Sequence, residues 1–295
     1  MLPSPLKGHI EVASAAILFG TIGIFVSLIN RMPVGSIIFY RLLFGITAIA
    51  IFFACCGKGY GELRLKENKQ YVILLGILQA GTMLSYFISV KHTTVAIAVL
   101  LLYTAPIYVT LLSPLLLKEP VTRRSLSALI LSLSGVILVI QPGAVFQDMD
   151  SMYAIGLLCG LISGLLYACM ILTSRYLKGC YTGTAQAAWA IIITMIIFLP
   201  YSTAVSSGVL LDNLHLLILL GLLPTAASLT LYFSGLMYVR AQNASIIALL
   251  EPASAVVFAA IILSQPITSS VLVGGGLILV GALVVSGVGA VGARA

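Results

Sequence analysis

The sequence predicts an all-α polytopic membrane protein with ten transmembrane helices, arranged as two inverted five-helix repeats. Three observations lead to this fold class. Of the 295 residues, 61% are hydrophobic and only 8% are charged, with a mean hydropathy of +1.17, whereas a soluble domain carries about 25% charged residues. The apolar residues fall into runs long enough to cross a bilayer. The second half of the chain also repeats the pattern of the first half.

Ten apolar runs can each form a membrane-spanning helix, because each approaches the ~20 residues that cross a hydrocarbon core of ~30 Å. The predicted spans are residues 10–29, 34–55, 71–90, 95–117, 125–140, 152–176, 184–201, 214–238, 243–263 and 270–289. Such long, uniformly apolar runs exclude the short alternating strands of a transmembrane barrel. The loops are short except for residues 57–70, so no extramembrane domain is expected.

The positive charges are distributed unequally between the two ends of these spans. Twelve lie on the side of the N-terminus: Lys7, Lys58, Arg64, Lys66, Lys69, Lys118, Arg123, Arg124, Arg175, Lys178, Arg240 and Arg294. Two, Arg31 and Lys91, lie on the other side. The positive-inside rule therefore predicts that both termini are cytoplasmic. The expected location is the plasma (inner) membrane. Basic residues in this arrangement do not indicate nucleic-acid binding.

A shift of 146 residues superimposes the two halves of the sequence. Pro106 then aligns with Pro252, and Gly135 aligns with Gly281. Matched prolines and glycines are informative because each one meets a particular need of the backbone. We therefore predict a first repeat over residues 1–146 and a second over residues 147–295. Five spans is an odd number, so the second repeat is inverted, which is the architecture of many secondary transporters.

Glu251 is the main candidate for a functional residue, because it is a carboxylate inside the apolar ninth span. An intramembrane charge usually faces a partner or a water-filled cavity. Pro252 follows it directly and frees the carbonyl of Ala248, which predicts a kink beside the acid. Glu251 aligns with Ala105 in the first repeat, so the acid breaks the symmetry. The functional interpretation is a cation- or proton-binding group, and the alternative is a hydrogen-bonded structural acid.

Arg41 is the second ionisable residue deep inside a span. From the span ends, Arg41 and Glu251 each lie roughly 12 Å deep from opposite sides, which leaves a vertical offset of about 6 Å in a ~30 Å core. A direct pair is therefore permitted, although the span ends do not establish it. Arg41 either binds an anionic group or balances Glu251; the alternative is that it extends to the outer interface.

Further candidates are polar and aromatic groups inside the spans and one more proline. Tyr86, Tyr103, Tyr167 and Tyr232 lie near or beyond the middle of their spans, whereas interfacial tyrosines lie at the ends. Gln79 and Trp189 complete the set of substrate- or coupling-site candidates. Pro106 predicts a kink symmetric to that at Pro252; the two kinks either frame a cavity or merely shape the bundle. Aromatic faces can hold a cation or a planar substrate, although any one of these residues is more often part of the bundle.

The sequence gives no indication of an enzyme, a metal site or a cofactor. It contains no phosphate-binding glycine loop with a lysine, no HExxH motif and no nucleophile with a nearby histidine. The five cysteines have no metal-ligand spacing and are expected to be reduced apolar residues.

Three segments resemble the drug/metabolite transporter superfamily, in its ten-helix branch with two EamA domains. They are FYRLLFG at residues 39–45, LLKEPVTRRSLSALILSLSGVILV at residues 116–139 and ALLEPASAVVFAAIILSQPIT at residues 248–268. The resemblance implies two EamA-type domains and a cavity lined by the first four spans of each repeat. It also implies transport without ATP, often export of amino acids or related metabolites. Gln265 departs from the family pattern, which usually has there the acid found as Glu119, so Glu119 is not expected to be catalytic.

We therefore expect a secondary transporter, and an exporter, of amino acids or related small metabolites that works by alternating access. The alternative within this class is a carrier of amines or quaternary ammonium compounds that uses the tyrosines and Glu251. A channel or a structural membrane subunit is the alternative from another class. The expected partners are the lipid bilayer, a small-molecule substrate and a proton or other coupling ion. The sequence predicts no oligomeric state.

Overall fold

The computed structural model describes residues 4–55, 60–65, 67–141, 151–203, 205–264 and 267–286. These residues form α-helices joined by short turns, without any β-strand. The helices are α1 (Ser4–Phe19), α2 (Ile22–Leu28), α3 (Val34–Cys55), α4 (Lys69–His92), α5 (Val95–Leu102), α6 (Ala105–Leu116), α7 (Arg123–Ile140), α8 (Ser151–Tyr176), α9 (Gly183–Ile197), α10 (Ser207–Asp212), α11 (Leu214–Gly221), α12 (Ser228–Leu236), α13 (Ala241–Ala248), α14 (Leu250–Leu263) and α15 (Ser269–Ser286).

Nine helical segments of the described chain are long and apolar enough to cross a membrane, and some of them consist of two helices in series. The seventh predicted span contains α9, which is shorter at 15 residues and continues into the 3₁₀ turn Leu199–Tyr201. The tenth corresponds to α15, and the last three residues of that prediction lie outside the described residues. The structure therefore confirms an all-α polytopic membrane protein.

The fifth and tenth spans, α7 and α15, pack closely and run antiparallel. Near the start of α7, the Arg124 side chain donates a hydrogen bond to the carbonyl of Val284, near the end of α15. Further along α7, Gly135 meets the first half of α15 so closely that a Cβ on it would lie 2.5 Å from the carbonyl oxygen of Gly274. Small residues allow this backbone approach, as is usual between helices in membranes.

Two further pairs of equivalent spans also meet head to tail. Near the start of α3, the Ser36 hydroxyl donates a 2.9 Å hydrogen bond to the carbonyl of Tyr201, beyond the end of α9. In the fourth and ninth spans, Gln242, near the start of α13, meets Ser113, near the end of α6. The Gln242 Nε2 donates a 2.6 Å hydrogen bond to the Ser113 Oγ. Equivalent helices that run in opposite directions define an inverted repeat, which confirms that part of the fold prediction.

The remaining packing follows the same symmetry. The third span, α4, packs along α8 of the sixth span, and in the same way α12 of the eighth span packs along α1 of the first. Likewise, α4 contacts α9, whereas α11 contacts α3. Exchanging the halves therefore maps one set of contacts onto the other.

Four of the membrane-spanning segments are interrupted within their length. The fourth span breaks between α5 and α6 at Tyr103–Thr104, and the ninth breaks between α13 and α14 at Leu249, next to the two aligned prolines. The first span breaks at Gly20–Thr21, between α1 and α2. The eighth contains a π-helical segment, Leu222–Ala227, between α11 and α12. Discontinuous helices of this kind are typical of transporters.

The two ends of the bundle differ in packing. We call the end that carries Lys7, Arg124, Arg175 and Arg240 the basic face, and the other end, which carries Lys91, the opposite face. At the basic face α6 packs against α13, and all of α13 except Asn243 is buried. Towards the opposite face, α5 and α14 make no comparable contact, and Pro252 is the only buried residue of α14. The fourth and ninth spans are therefore closed at the basic face and separated towards the other.

Candidate functional site

The break in the ninth span places Glu251 in the first turn of α14, at the centre of a polar cluster inside the bundle. The hydroxyl of Tyr103, at the equivalent break of the fourth span, lies within hydrogen-bonding reach of the Glu251 carboxylate. The guanidinium of Arg41, on α3, and the phenol of Tyr86, on α4, are close enough to interact electrostatically with this carboxylate. Both repeats therefore contribute to the surroundings of the buried acid.

Arg41 does not form a direct ion pair with Glu251. Within the part of the chain that the structure describes, the ion pairs with an N···O distance of 4.0 Å or less are Lys7–Glu11 and Arg175–Glu119. The Arg41 Nε is buried without a hydrogen-bond partner, and its Nη2 reaches only the Met83 sulfur at 4.0 Å. An unpaired guanidinium is costly inside a membrane protein, so this donor is available to an anionic ligand.

Two further tyrosines complete the cluster. The hydroxyls of Tyr167, on α8, and Tyr232, on α12, lie close together, and both interact with Glu251. Tyr232 is only 1% exposed, and its hydroxyl has no hydrogen bond of good geometry. Its ring packs edge-on to Phe19, at the end of α1, with centroids 6.3 Å apart. The Tyr232 hydroxyl therefore has hydrogen-bonding capacity to spare within the cluster.

Gln79 and Trp189 lie differently from the other candidates. Gln79 is buried, its Oε1 has no partner, and it lies one turn before Met83, the contact of Arg41, on α4. Trp189 is near the basic face, where its indole N–H donates a 2.8 Å hydrogen bond to the carbonyl of Leu63. The structure therefore gathers Glu251, Arg41 and the four tyrosines, places Gln79 near them along α4, and separates Trp189 from them.

Towards the basic face, the space beneath the cluster is almost filled. A cavity of about 10 Å³ remains between the fourth, sixth and ninth spans. Its lining consists of Tyr103, Pro106, Tyr167, Ile171, Ser245, Ala248 and Leu249. Such a volume holds about one water molecule. The cluster is therefore closed towards the basic face, whereas the separated helices α5 and α14 lie on its other side.

A second polar network, which the sequence did not predict, lies at the basic face. Glu119 follows α6, and its carboxylate accepts hydrogen bonds from Arg175 Nε at 2.8 Å and from the backbone N–H of Ala241 at 2.9 Å. The Arg175 Nη1 also donates to the carbonyls of Leu236 and Met237, at 2.7 and 3.1 Å. The sequence marked Glu119 as an acid that Gln265 replaces in the second repeat, but it gave no indication of the partner. Gln265 itself lies outside the described residues.

This architecture is that of a membrane transporter. A family model, the EamA-like transporter family, matches residues 6–141 and 154–287. The chain belongs to the EamA-like transporter family, in agreement with its resemblance to the drug/metabolite transporter superfamily.

Relatives and a solved structure cover nearly the whole chain. An uncharacterized transporter of Archaeoglobus fulgidus is 30% identical over 286 residues, which are 94% of this chain and 95% of the relative. The uncharacterized inner membrane transporter YicL of Salmonella typhimurium is 23% identical over 294 residues, 96% of each chain. This chain is also similar to a solved crystal structure, described only as that of a protein, with a TM-score of 0.81. The match covers 94% of each chain at 17% identity and shows a likeness of fold.

Proposed function

We propose that this protein is a secondary transporter, and an exporter, that carries amino acids or related small zwitterionic metabolites by alternating access. The substrate would bind at the cluster around Glu251 and Arg41, between the two inverted repeats. Glu251 would take the ammonium group of the substrate or a coupling proton. Arg41 would take the carboxylate, and the tyrosines would orient the substrate between them.

The separation of the two charges is the observation that carries this proposal. If the guanidinium and the carboxylate bonded each other directly, they would have little free hydrogen-bonding capacity for a ligand. Here Arg41 keeps an unpartnered Nε, and Glu251 lies more than 4.0 Å away from it. The carboxylate and the ammonium group of a zwitterion could pair with Arg41 and Glu251 at the same time. An apolar solute would leave both charges unsatisfied, at a large cost in free energy.

The two faces of the bundle support alternating access. The fourth and ninth spans are closed at the basic face and separated towards the opposite face. Because the repeats are inverted, exchanging their conformations would open the basic face and close the other. The excess of basic residues supports a cytoplasmic position for the basic face and both termini, in the inner membrane. The described conformation would then face outward.

Counterflow in proteoliposomes tests the substrate class. Vesicles loaded with one unlabelled amino acid should accumulate the same labelled amino acid, and for each active compound the carboxamide and the N-acetyl derivative should compete poorly. Removing either substrate charge should weaken competition about thirtyfold or more, since unpairing a buried charge costs ~2 kcal/mol or more. Flux without saturation or counterflow would indicate a channel instead. An absence of flux with every compound would favour a structural subunit.

Two substitutions test the assigned groups. Arg41→Met should abolish discrimination between an amino acid and its carboxamide, because the carboxylate then has no cationic partner. Glu251→Gln should remove the dependence of transport on pH if this group carries the coupling proton. Glu11→Gln is the matched control, because Glu11 pairs with Lys7 within α1, at 3.7 Å, away from the cluster. An unchanged substrate preference in Arg41→Met would contradict the proposed role of Arg41.

A carrier of amines or quaternary ammonium compounds is the second candidate. Four tyrosines around one carboxylate favour it, because aromatic faces and a carboxylate both attract organic cations. For such a carrier, Glu251→Gln should abolish substrate binding itself, and Arg41→Met should leave binding intact or strengthen it. For a carrier of amino acids, Arg41→Met should instead weaken substrate binding, and Glu251→Gln should keep binding only if Glu251 takes the coupling proton and not the ammonium group. Thermal stabilisation of each variant by ligand distinguishes the two candidates.

A further inference from the structure

We infer that the network around Glu119 and Arg175 is a latch that holds the basic face closed and sets the resting conformation of the transporter. This inference rests on the proposed alternating access. It assigns a role to residues outside the substrate cluster. The latch is made of Glu119, Arg175, Gln242 and Ser113 and the backbone groups that they contact.

The ion pair of the latch connects the ends of four spans. Glu119 follows the fourth span and contacts both Arg175, at the end of the sixth, and the N–H of Ala241, at the start of the ninth. Through Arg175 it is linked to the carbonyls at the end of the eighth span. The side chains of Arg175 and Glu119 are only 12% and 13% exposed. Moving the fourth span away from the eighth and ninth would break the bond from the Ala241 N–H to Glu119 and would force Arg175 to leave either Glu119 or the carbonyls of the eighth span.

Gln242 adds a second connection between the repeats. Its Nε2 donates to the Ser113 hydroxyl at 2.6 Å and to the backbone carbonyl of Glu119 at 3.1 Å. Both contacts run between the fourth and ninth spans, which are the spans that separate towards the opposite face. Gln242 and Ser113 are fully buried, so their hydrogen bonds are protected from competition by water.

The repeat symmetry shows that the latch exists in only one copy. In the register of 146 residues, Ser113 corresponds to Ala259 and Gln242 corresponds to Ala96. In the sequence, Glu119 corresponds to Gln265, which cannot form an ion pair. The positions that would close the opposite face therefore lack this hydrogen bond and this acid. Val95, next to Ala96 on α5, and Ile261, two residues after Ala259 on α14, are 59% and 72% exposed.

This asymmetry has a thermodynamic consequence. Two inverted repeats of identical sequence would make the two closed states equal in free energy, so any preference must come from differences between the repeats. A latch at the basic face alone stabilises the state in which that face is closed. Breaking a buried ion pair by removing one partner is strongly destabilising. The free energy that the latch contributes is therefore large enough to set the ratio of the two states.

Spin-label distances measure this ratio directly, without transport. In a variant without the native cysteines, labels at Leu116→Cys and Arg240→Cys report the basic face, and labels at Val95→Cys and Ile261→Cys report the opposite face. Adding Glu119→Gln should lengthen the first distance, shorten the second and change the ratio of the two populations about tenfold or more. Glu11→Gln, which removes the ion pair inside α1, should leave both distances unchanged.

A second variant keeps the inference testable if Glu119→Gln folds poorly. Ala96→Gln with Ala259→Ser copies the Gln242–Ser113 hydrogen bond to the opposite face and leaves the latch intact. It should shift the populations in the same direction as Glu119→Gln. Unchanged distances in this variant, or in a folded Glu119→Gln, would overturn the inference, as would an equal shift in Glu11→Gln. Since no substrate is used, this failure is distinct from a failure of the proposed transport.

Discussion

At the scale of single residues, the chemistry of Glu251 depends on groups that are remote in sequence. Tyr103 reaches it from the equivalent break of the first repeat, and Arg41 faces it across more than 4.0 Å from the second span. A lone intramembrane acid is recognisable from hydropathy alone, because its transfer into hydrocarbon is costly. The identity of its neighbours depends on packing.

Removing the Tyr103 hydroxyl tests this arrangement. Tyr103→Phe should weaken substrate binding about tenfold, since a hydrogen bond to a charged group is worth ~1.5 kcal/mol, while the protein still folds. Ligand titration by thermal stabilisation measures the effect. Tyr71→Phe is the control, because the Tyr71 ring packs on Tyr176 with centroids 4.9 Å apart, at the basic end of α4. Equal losses in the two variants would mean that Tyr103 acts only through stability.

Trp189 and Glu119 illustrate what the sequence leaves open at this scale. Both are polar groups in or beside apolar spans, so composition assigns them no particular neighbour. In the structure Trp189 bonds Leu63, 126 residues away, and Glu119 bonds Arg175, 56 residues away. Side-chain direction around a helix decides such contacts. That direction depends on how neighbouring helices pack.

At the scale of helices, the proline-directed breaks were more predictable than the others. Proline removes a backbone donor, so breaks near Pro106 and Pro252 follow from the sequence. The break at Gly20 has no proline beside it and lies where the first span meets the ninth. A Cβ at Gly20 would lie 2.9 Å from the carbonyl oxygen of Glu251, so this glycine permits the contact. The π-helical segment around Pro224 was also not predicted; there, the Thr225 hydroxyl bonds the Leu220 carbonyl.

The contact between α7 and α15 gives a prediction about stability. Gly135→Ala should lower the stability by ~1–3 kcal/mol, because the added methyl group meets the backbone of Gly274 and must separate the helices. Gly275→Ala, in α15, should cause no loss, because nothing lies within 4 Å of the added carbon and alanine favours a helix. Thermal unfolding in detergent compares the two. Similar melting temperatures would contradict the close contact.

At the scale of the whole molecule, the inverted arrangement followed from counting spans and aligning the repeats. Antiparallel contacts such as Arg124 with Val284 agree with that reasoning. The conformation did not follow from it, because a symmetric repeat is compatible with closure at either face. Only the asymmetric contacts, with α6 against α13 closed and α5 and α14 apart, define which face is closed.

The proposed orientation predicts which loops can be labelled from outside the cell. Lys91→Cys, at the opposite face, should react with a membrane-impermeant maleimide in intact cells, in a background without native cysteines. Lys118→Cys, at the basic face, should react only after permeabilisation, since the positive-inside rule places that face in the cytoplasm. The reverse labelling pattern would contradict the proposed orientation.

The position of Trp189 has a practical use. It is the only tryptophan in the sequence, and its indole is anchored to the Leu63 carbonyl beside the face that the latch closes. The tryptophan fluorescence of the unmodified protein therefore reports on the surroundings of Trp189 alone. A red-shifted emission on adding a transported compound would signal hydration of these surroundings, and stopped-flow mixing would give the rate of the movement without any attached dye.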